Sequence, residues 1–329
     1  LFFTQNNKLK IQIIDTKYLH GDFKICFSLV YSVQDISGAT ISKKVGRYYE
    51  IHSQQDEIIL TLQEPRIGSY NLSCGPEGLF VIDKNDTNIE CKIIPLKFEN
   101  SIEPIVYKDE KDKIFFPVIP LPDFIKLNKE TISIKELNFK ISFEEKFFFD
   151  NLNNLFYASD IKFNTSSGHS IIFKKSNLKS EEYKLNIQKE RILIEYSDYG
   201  GKLYSIITLI QLINFYKTYL PIGLIEDGPA LNWRGMHLDC ARQFYTIDEI
   251  KRLMDYMCFF KLNRFHWHLT DNEAWRVELE CYPNLTKVGA FRGYNEIIPP
   301  FYGTGYNKTG GYYSQNQIIE LIEYARVRN

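Results

Sequence analysis

Short apolar alternations fill the first third of the chain. Segments such as LKIQIID and EIILTL place apolar residues at every second position, and turn signals such as RIGS and CGPEG separate them. Alternation of this kind predicts strands with one buried face. Residues 1–113 are therefore predicted to form an antiparallel β-sandwich domain, and the charged run YKDEKDK at its end is interpreted as a solvated linker.

A different pattern extends over residues 114–223. It opens with FFPVIPLPDFIKL, whose prolines favour extended backbone, and continues with the strand-like segments SIIFKK, YKLNIQ and RILIEY. The segment GGKLYSIITLIQLINFY, residues 200–216, predicts a helix because Leu203, Ile206, Ile207 and Ile210 recur at helical spacing. Strands followed by a helix against one sheet predict a small α+β domain.

The third region, residues 224–329, alternates strands with helices. NWRGMHLDCA predicts a strand buried on both faces, TIDE predicts a capping box at a helix start, and NRFHWHLTD predicts the next strand. A second helix, with apolar residues at 318, 321, 322 and 325, is predicted in SQNQIIELIEYARVR. This order is typical of the first units of a (β/α)8 TIM barrel, which takes about 250 residues. We therefore expect the chain to be a fragment of a longer protein. The last third of this fragment is expected to fold poorly in isolation, because its strand edges stay uncovered.

Composition excludes several classes of function. The 329 residues contain 40 Lys and Arg against 41 Asp and Glu, so there is no electrostatic case for a nucleic-acid partner. The longest strongly apolar stretch, SIITLIQLI, is far short of the roughly 20 residues that cross a bilayer. Six cysteines without C-x-x-C spacing argue against a zinc ribbon; Cys74 and Cys91 either bridge a hairpin or stay free, and free thiols are favoured.

Candidate chemistry gathers where the predicted barrel strands end. Asp239 ends the first strand, Arg242 lies just past it, and Asp271 ends the second strand. The carboxyl ends of barrel strands meet at one mouth, so these side chains are expected to converge. Arg242 offers a fork of donors suited to vicinal hydroxyls or to a carboxylate. The alternative is that Arg242 merely pairs with Asp239 or Asp271 across the rim.

Two histidines in the same strand raise the question of a metal. His266 and His268 form an H-x-H pair, which puts both imidazoles on one face, as in zinc-dependent amidohydrolases. In that class the pair lies on the first barrel strand, whereas here an earlier strand precedes it and no histidine follows it. Packed or supporting histidines are therefore favoured, and neither a metal nor a cofactor is predicted. Trp267 is interpreted as a core residue, and Trp275 either as a core residue, which is favoured, or as a platform for a sugar.

Several of these segments, in order, resemble the start of the catalytic barrel in β-N-acetylhexosaminidases of glycoside hydrolase family 20. They are WRGMHLDCARQF, DEIKRLMDYMCFFKLNRFHWHLTDNEAWRVEL, YPNLTKVGAFR and GGYYSQNQIIELIEYAR. The resemblance runs from about residue 225 to residue 329. More weakly, PVIPLPDFIKL and DYGGKLYSIITLIQLI resemble the small α+β domain that precedes that barrel, and residues 1–113 occupy the position of an extra β-sandwich in some bacterial members.

The resemblance implies a retaining glycoside hydrolase in which the substrate's 2-acetamido oxygen attacks the anomeric carbon, while a glutamate protonates the leaving oxygen. Arg242 matches the arginine that holds the sugar's ring hydroxyls, and Asp271 matches the aspartate that supports the general acid through a histidine. Asn272 stands where the family often has a second aspartate. The implied substrates are N-acetylhexosamine-containing glycans or chitin oligosaccharides, and the implied location is extracytoplasmic or lysosomal.

The catalytic Asp-Glu pair of this family is expected beyond Asn329, so the chain by itself is expected to be inactive. Two other classes stay open. One is a non-catalytic carbohydrate-binding or scaffold protein, and the other, less favoured, is a metal-dependent barrel of the amidohydrolase type.

Overall fold

The computed structural model of the protein describes residues 2–4, 8–14, 23–53, 55–63, 76–89, 116–134, 137–152 and 161–329. Cys74 and Cys91 lie outside the described residues. The chain divides into two compact units. The first unit combines Leu1–Asp109, Asp239–Phe244 and His268–Ser314, and the second combines Glu110–Leu238, Tyr245–Trp267 and Gln315–Asn329.

Two antiparallel sheets make up the N-terminal part of the first unit. One has the strand order β1-β2-β7-β4 and the other β5-β6-β3-β8-β9. Their bounds are β1 Phe2–Thr4, β2 Lys8–Gln12, β3 Phe23–Ser28, β4 Val33–Ser37, β5 Ala39–Val45, β6 Tyr48–Ser53, β7 Glu57–Leu62, β8 Glu77–Asp83 and β9 Asn88–Ile89. Leu9 and Leu60 of one sheet share a buried core with Phe27 and Ile51 of the other. The apolar alternation of the sequence thus supplies the facing sides of two sheets.

A seven-stranded mixed sheet forms the centre of the second unit, with the order β10-β16-β14-β15-β13-β11-β12. Its strands are β10 Phe124–Ser133, β11 Asn138–Lys140, β12 Lys162–Asn164, β13 His169–Lys175, β14 Tyr183–Ile187, β15 Arg191–Tyr196 and β16 Tyr219–Asp227. The contacts of β11 with β12 and β13, and of β13 with β15, are parallel, whereas β10, β16, β14 and β15 pair antiparallel.

Helix α1 (Lys146–Asn151) is short, and α2 (Tyr199–Tyr216) packs against β14, β15 and β16. The predicted stripe Leu203, Ile206, Ile207 and Ile210 is fully buried in the core of the sheet. The Asp198 side chain accepts a hydrogen bond of 3.0 Å from the backbone N–H of Gly201 and caps the helix start. In the described part of the chain no helix has the length and apolarity that crossing a bilayer requires.

Strand, helix and strand then follow as β17 (Gly235–Asp239), α3 (Ile247–Phe259) and β18 (Arg264–His268). β17 and β18 form a two-stranded sheet. The prediction that β17 is buried on both faces is wrong, because residues 235–237 are exposed. Among the described residues β18 is the only strand that pairs with β17.

The remaining short elements complete the chain. A hairpin joins β19 (Thr270–Asp271) to β20 (Ala274–Trp275), helix α4 spans Asn284–Lys287, and β21 (Phe291–Arg292) pairs with β22 (Thr309–Gly310). We call the connection between β21 and β22 the 293–308 loop. The last helix, α5 (Gln315–Arg326), packs against α3 in the second unit. Of its predicted stripe only Leu321 is buried, and Ile322 is half exposed.

The capping box predicted for α3 is confirmed. The Thr246 Oγ1 accepts from the Glu249 backbone N–H, and the Glu249 carboxylate accepts from the Thr246 backbone N–H at 2.6 Å. The apolar stripe behind it buries Ile250, Met254 and Met257. The local sequence therefore fixes both the start and the buried face of this helix.

We expect Thr246→Ala to lower the free energy of unfolding by about 1 kcal/mol, because it removes the acceptor for an otherwise unpaired N–H at the helix start. Thr246→Ser keeps that acceptor and is expected to stay within a few tenths of a kcal/mol of the wild type. Urea unfolding followed by far-ultraviolet circular dichroism measures both. Equal losses in the two variants would show that the hydroxyl does not act as a cap.

Candidate functional site

The predicted site residues Arg242, Asp239 and Asp271 come together in the first unit. The guanidinium of Arg242 lies 3.0 Å from Asp239 Oδ2 through Nη1 and 2.8 Å from Asp271 Oδ2 through Nη2. Its Nε lies 3.1 Å from Glu273 Oε2. We call these four residues and His268 the Arg242 cluster. One guanidinium therefore spans three carboxylates, with 35% of its side chain exposed.

Asp239 holds Arg242 through the backbone as well as through the side chain. Its Oδ1 accepts hydrogen bonds of 3.1 Å from the backbone N–H groups of Ala241 and Arg242. An aspartate that caps its own following turn in this way is a common local motif. The sequence DCAR thus forms a compact turn at the end of β17 that aims the guanidinium.

Charge and hydrogen bonds shift the pKa values of Asp271 and Arg242. The backbone N–H of Asn272 donates to Asp271 Oδ1 at 2.7 Å. This bond, followed by the hydrogen bond from His268 and the positive charge of Arg242, holds the pKa of Asp271 below its ordinary value of 3.8. Burial acts to lower the pKa of Arg242, but the carboxylates of Asp239 and Glu273 outweigh it and raise that pKa. Asp271 and Arg242 therefore carry fixed charges at neutral pH.

His268 and His266 have different surroundings. His268 is half-buried, and its Nε2 lies 3.1 Å from both Arg242 Nη1 and Asp271 Oδ2. It accepts from the arginine in one tautomer and donates to the aspartate in the other. His268 thus contacts both predicted site residues, and its role as a supporting histidine stays a prediction. His266 lies edge-on to His237 in the second unit, with ring centroids 4.6 Å apart. Because His266 is exposed, its interpretation as a packed residue is wrong.

Two buried arginines lie behind the turn that carries Arg242. The guanidinium of Arg276 donates to the carbonyls of Cys240 at 2.9 Å, Ala241 at 3.2 Å and Gly311 at 3.0 Å, and also to that of Ala290. Arg292 donates to the same Ala241 carbonyl at 3.0 Å. Burial, and then the nearby Arg292 charge, lowers the pKa of Arg276 to about 10. Both cations thus fix the backbone of residues 240–241.

Sequence reasoning missed Glu273 and Arg276 as members of the site region. Glu273 stands in the two-residue turn between β19 and β20, two positions after Asp271, and that proximity was a usable signal. Arg276 had no comparable signal, because its partners are carbonyl groups from residues 240, 241, 290 and 311. Trp275, predicted as core, is half-buried and donates its indole N–H to the Val277 carbonyl at 2.7 Å.

The depressed pKa of Asp271 makes a pH-dependent contribution to stability. A carboxylate whose folded-state pKa lies below its ordinary value stabilises the fold above that ordinary value and loses this effect as the pH falls through the folded-state pKa. We therefore expect Asp271→Asn to reduce stability most near neutral pH and progressively less below pH ~4. Urea unfolding of both proteins between pH 7 and pH 3 measures the difference. A difference that stays constant over this range would contradict the ionised pairing.

Two sequence models of one family match the chain. The model described as "Glycosyl hydrolase family 20, catalytic domain" matches residues 231–329, and the model of "Glycosyl hydrolase family 20, domain 2" matches residues 116–228. Together they cover well over half of the chain. The first match includes all five residues of the Arg242 cluster.

Individual relatives agree with these matches. The "Beta-hexosaminidase" of Vibrio furnissii is 40% identical over 148 residues, which make up 44% of this chain and 24% of that protein. The "N,N'-diacetylchitobiase" of Vibrio harveyi is 35% identical over 159 residues, or 46% of this chain and 18% of that protein. The chain thus aligns with about a quarter or less of these two relatives.

A solved structure resembles the whole chain. It is the family 20 exo β-N-acetylglucosaminidase of Vibrio harveyi in complex with N-acetylglucosamine, with a TM-score of 0.76, 23% identity, and coverage of 99% of this chain and 55% of that one. At this identity the likeness concerns the fold alone. The two family models and the aligned relatives show the family: the chain belongs to glycosyl hydrolase family 20.

Proposed function

We propose that the intact protein is a β-N-acetylhexosaminidase that hydrolyses terminal non-reducing N-acetylhexosamine residues by a retaining, substrate-assisted mechanism. The observation that carries this proposal is the meeting of Arg242 and Asp271, 2.8 Å apart, within the segment that matches the family's catalytic domain. The names of relatives, a β-hexosaminidase and an N,N'-diacetylchitobiase, favour N-acetylglucosamine-containing glycans and chitin oligosaccharides as substrates.

In this proposal Arg242 binds the hydroxyl groups of the terminal sugar. Its guanidinium is held on three sides by carboxylates, so its donors are oriented before the sugar arrives. Vicinal hydroxyls accept hydrogen bonds from a planar donor fork, and a charged donor strengthens those bonds. The 35% exposure of the side chain leaves room for such a partner.

Asp271 supports the general acid through a histidine in the proposed mechanism. The 2-acetamido oxygen of the substrate forms a bond to the anomeric carbon while the glycosidic bond breaks and the leaving oxygen takes a proton from a glutamate. Water then opens the oxazolinium ion with retention of configuration. A carboxylate of lowered pKa stays ionised throughout and keeps its histidine partner oriented.

The proposed architecture follows the same family. Residues 1–113 would form a β-sandwich domain, residues 114–223 an α+β domain, and residues 224–329 the first part of a (β/α)8 barrel. The strand-helix-strand order of β17, α3 and β18 and the likeness in fold to the Vibrio harveyi enzyme support this division.

Turnover of a chromogenic N-acetyl-β-glucosaminide by the purified intact protein tests the proposed activity. We expect release of the chromophore, with the β-anomer of N-acetylglucosamine as the first product seen by proton NMR, because retention follows from the oxazolinium route. A folded protein that binds N-acetylglucosamine without turnover would overturn the proposal in favour of a carbohydrate-binding role. An α-anomer as first product would overturn the mechanism.

A further inference from the structure

Three contacts fasten the 293–308 loop to the N-terminal strands of the first unit. Ser28 Oγ donates a buried hydrogen bond of 2.8 Å to the Pro300 carbonyl. Gly46, in the turn between β5 and β6, lies so close to Phe301 that an added Cβ would stand 3.3 Å from its ring. At Gly78 an added Cβ would lie 2.5 Å from the Gly303 backbone. Residues 300–303 are therefore held by strands that lie outside both family matches.

Tyr302 sits in the middle of this fastened segment. Its backbone φ is +51°, a left-handed conformation that a bulky residue adopts only when its surroundings require it. Two guanidinium groups lie over its ring, that of Arg47 at 5.7 Å and that of Arg292 at 6.0 Å from the ring centroid. These two contacts with the ring help to define where its hydroxyl points.

The hydroxyl of Tyr302 donates to Glu273 Oε1 at 2.7 Å. Burial, together with this bond to Glu273, raises the pKa of Tyr302, so the hydroxyl stays protonated and remains a donor. The other oxygen of the same carboxylate, Oε2, lies 3.1 Å from Arg242 Nε. Glu273 thus has one oxygen for each partner, and its orientation toward Arg242 depends on both.

We propose that Tyr302 is a positioning residue for the sugar-binding arginine: it fixes Glu273, which in turn fixes Arg242, and Arg47 of the N-terminal β region holds the tyrosine ring. This inference rests on the proposed function of Arg242. It makes the N-terminal β region a structural part of the sugar site, because Arg47 and the strands that clamp residues 300–303 come from it.

We test the chain of contacts with Tyr302→Phe in the intact protein, using the chromogenic N-acetyl-β-glucosaminide as substrate. The variant keeps the ring and loses only the hydroxyl. Glu273 and Arg242 then gain rotational freedom that sugar binding must remove again, and ordering side chains of this kind raises KM by roughly threefold to tenfold. The value of kcat is expected to change less than twofold, since no group of the reaction is altered. Arg47→Ala is expected to shift KM in the same direction, and Arg47→Lys, which keeps a cation near the ring, to restore it.

Tyr306→Phe is the matched control. It removes a hydroxyl from the same loop, one that donates to the Asp86 carbonyl at 3.0 Å, and it should leave KM unchanged. A double-mutant cycle with Glu273→Ala, which removes the acceptor of the tyrosine hydroxyl, gives a second readout: if Tyr302 acts through Glu273, the double variant has the KM of Glu273→Ala alone. Additive effects, or equal KM values for Tyr302→Phe and Tyr306→Phe, would overturn the positioning role. Absence of turnover in the wild type would instead overturn the proposed function.

Discussion

Replacing Arg242 by lysine is expected to lower kcat/KM for an N-acetyl-β-glucosaminide by roughly 100-fold, and Arg242→Ala by roughly 1000-fold. Lysine keeps the charge but presents it from one nitrogen, whereas the guanidinium contacts Asp239, Asp271 and Glu273 through three. A single ammonium cannot hold three carboxylates and a sugar at once. In the alanine variant the three carboxylates also repel one another without a cation between them.

Steady-state kinetics of the intact protein measure these losses. Arg326→Lys is the matched control, because that arginine forms an exposed ion pair with Glu323 on helix α5, and the same substitution there should leave kcat/KM unchanged. Thermal unfolding of each variant separates lost binding from lost folding. An Arg242→Lys protein that is folded and fully active would show that Arg242 only pairs across the rim.

Local patterns in the sequence were sufficient for most elements of the fold. The spacing of Leu203, Ile206, Ile207 and Ile210 predicted helix α2 to within one residue at its start, because a helix that buries several sides against a sheet must be apolar at those positions. The Thr246 and Glu249 pair predicted the start of α3, since capping is a contact between residues three apart.

Convergence of Arg242 and Asp271 was also predictable, for a different reason. The local sequence around each residue does not identify the other as its partner. Both residues, however, follow strands of one predicted parallel sheet, and the ends of such strands meet at one edge. The burial of β17 was not predictable in this way. An apolar segment shows which side chains are suited to burial. Whether they are buried depends on which elements pack against the strand, and residues 235–237 are exposed.

Sequence patterns did not predict contacts between residues that are distant in the chain. Tyr302 meets Glu273 from 29 positions away, and Arg47 reaches Tyr302 from a different part of the first unit. Tyrosine and arginine in polar loops are ordinary surface residues by composition. Only the fold shows that these two support a carboxylate of the Arg242 cluster.

Arg276 provides the clearest case of a residue whose importance is visible only in three dimensions. Its side chain is 1% exposed and donates to four backbone carbonyls, two of them at residues 240–241, just before Arg242. A buried guanidinium that satisfies carbonyl groups from three chain segments joins those segments into one body. The position of Arg242 therefore depends on Arg276, although the two side chains have different partners.

Arg276→Met, which keeps most of the volume but none of the donors, is expected to destabilise the protein by about 3–5 kcal/mol, because buried carbonyls lose their partners. Arg276→Lys keeps a charge and part of the bonding and should lose less, about 2 kcal/mol. Urea unfolding measures both, with Arg264→Met as the control, since Arg264 is exposed and its Nη1 donates to the neighbouring Asn263 carbonyl. In these variants the Ala241 carbonyl still accepts a hydrogen bond from Arg292, so residues 240–241 should become more mobile but keep this contact. Because Arg242 follows these residues, kcat/KM should fall even where Arg276→Lys stays folded. Equal stability of Arg276→Met and Arg264→Met would show that the four carbonyl bonds do not hold this turn.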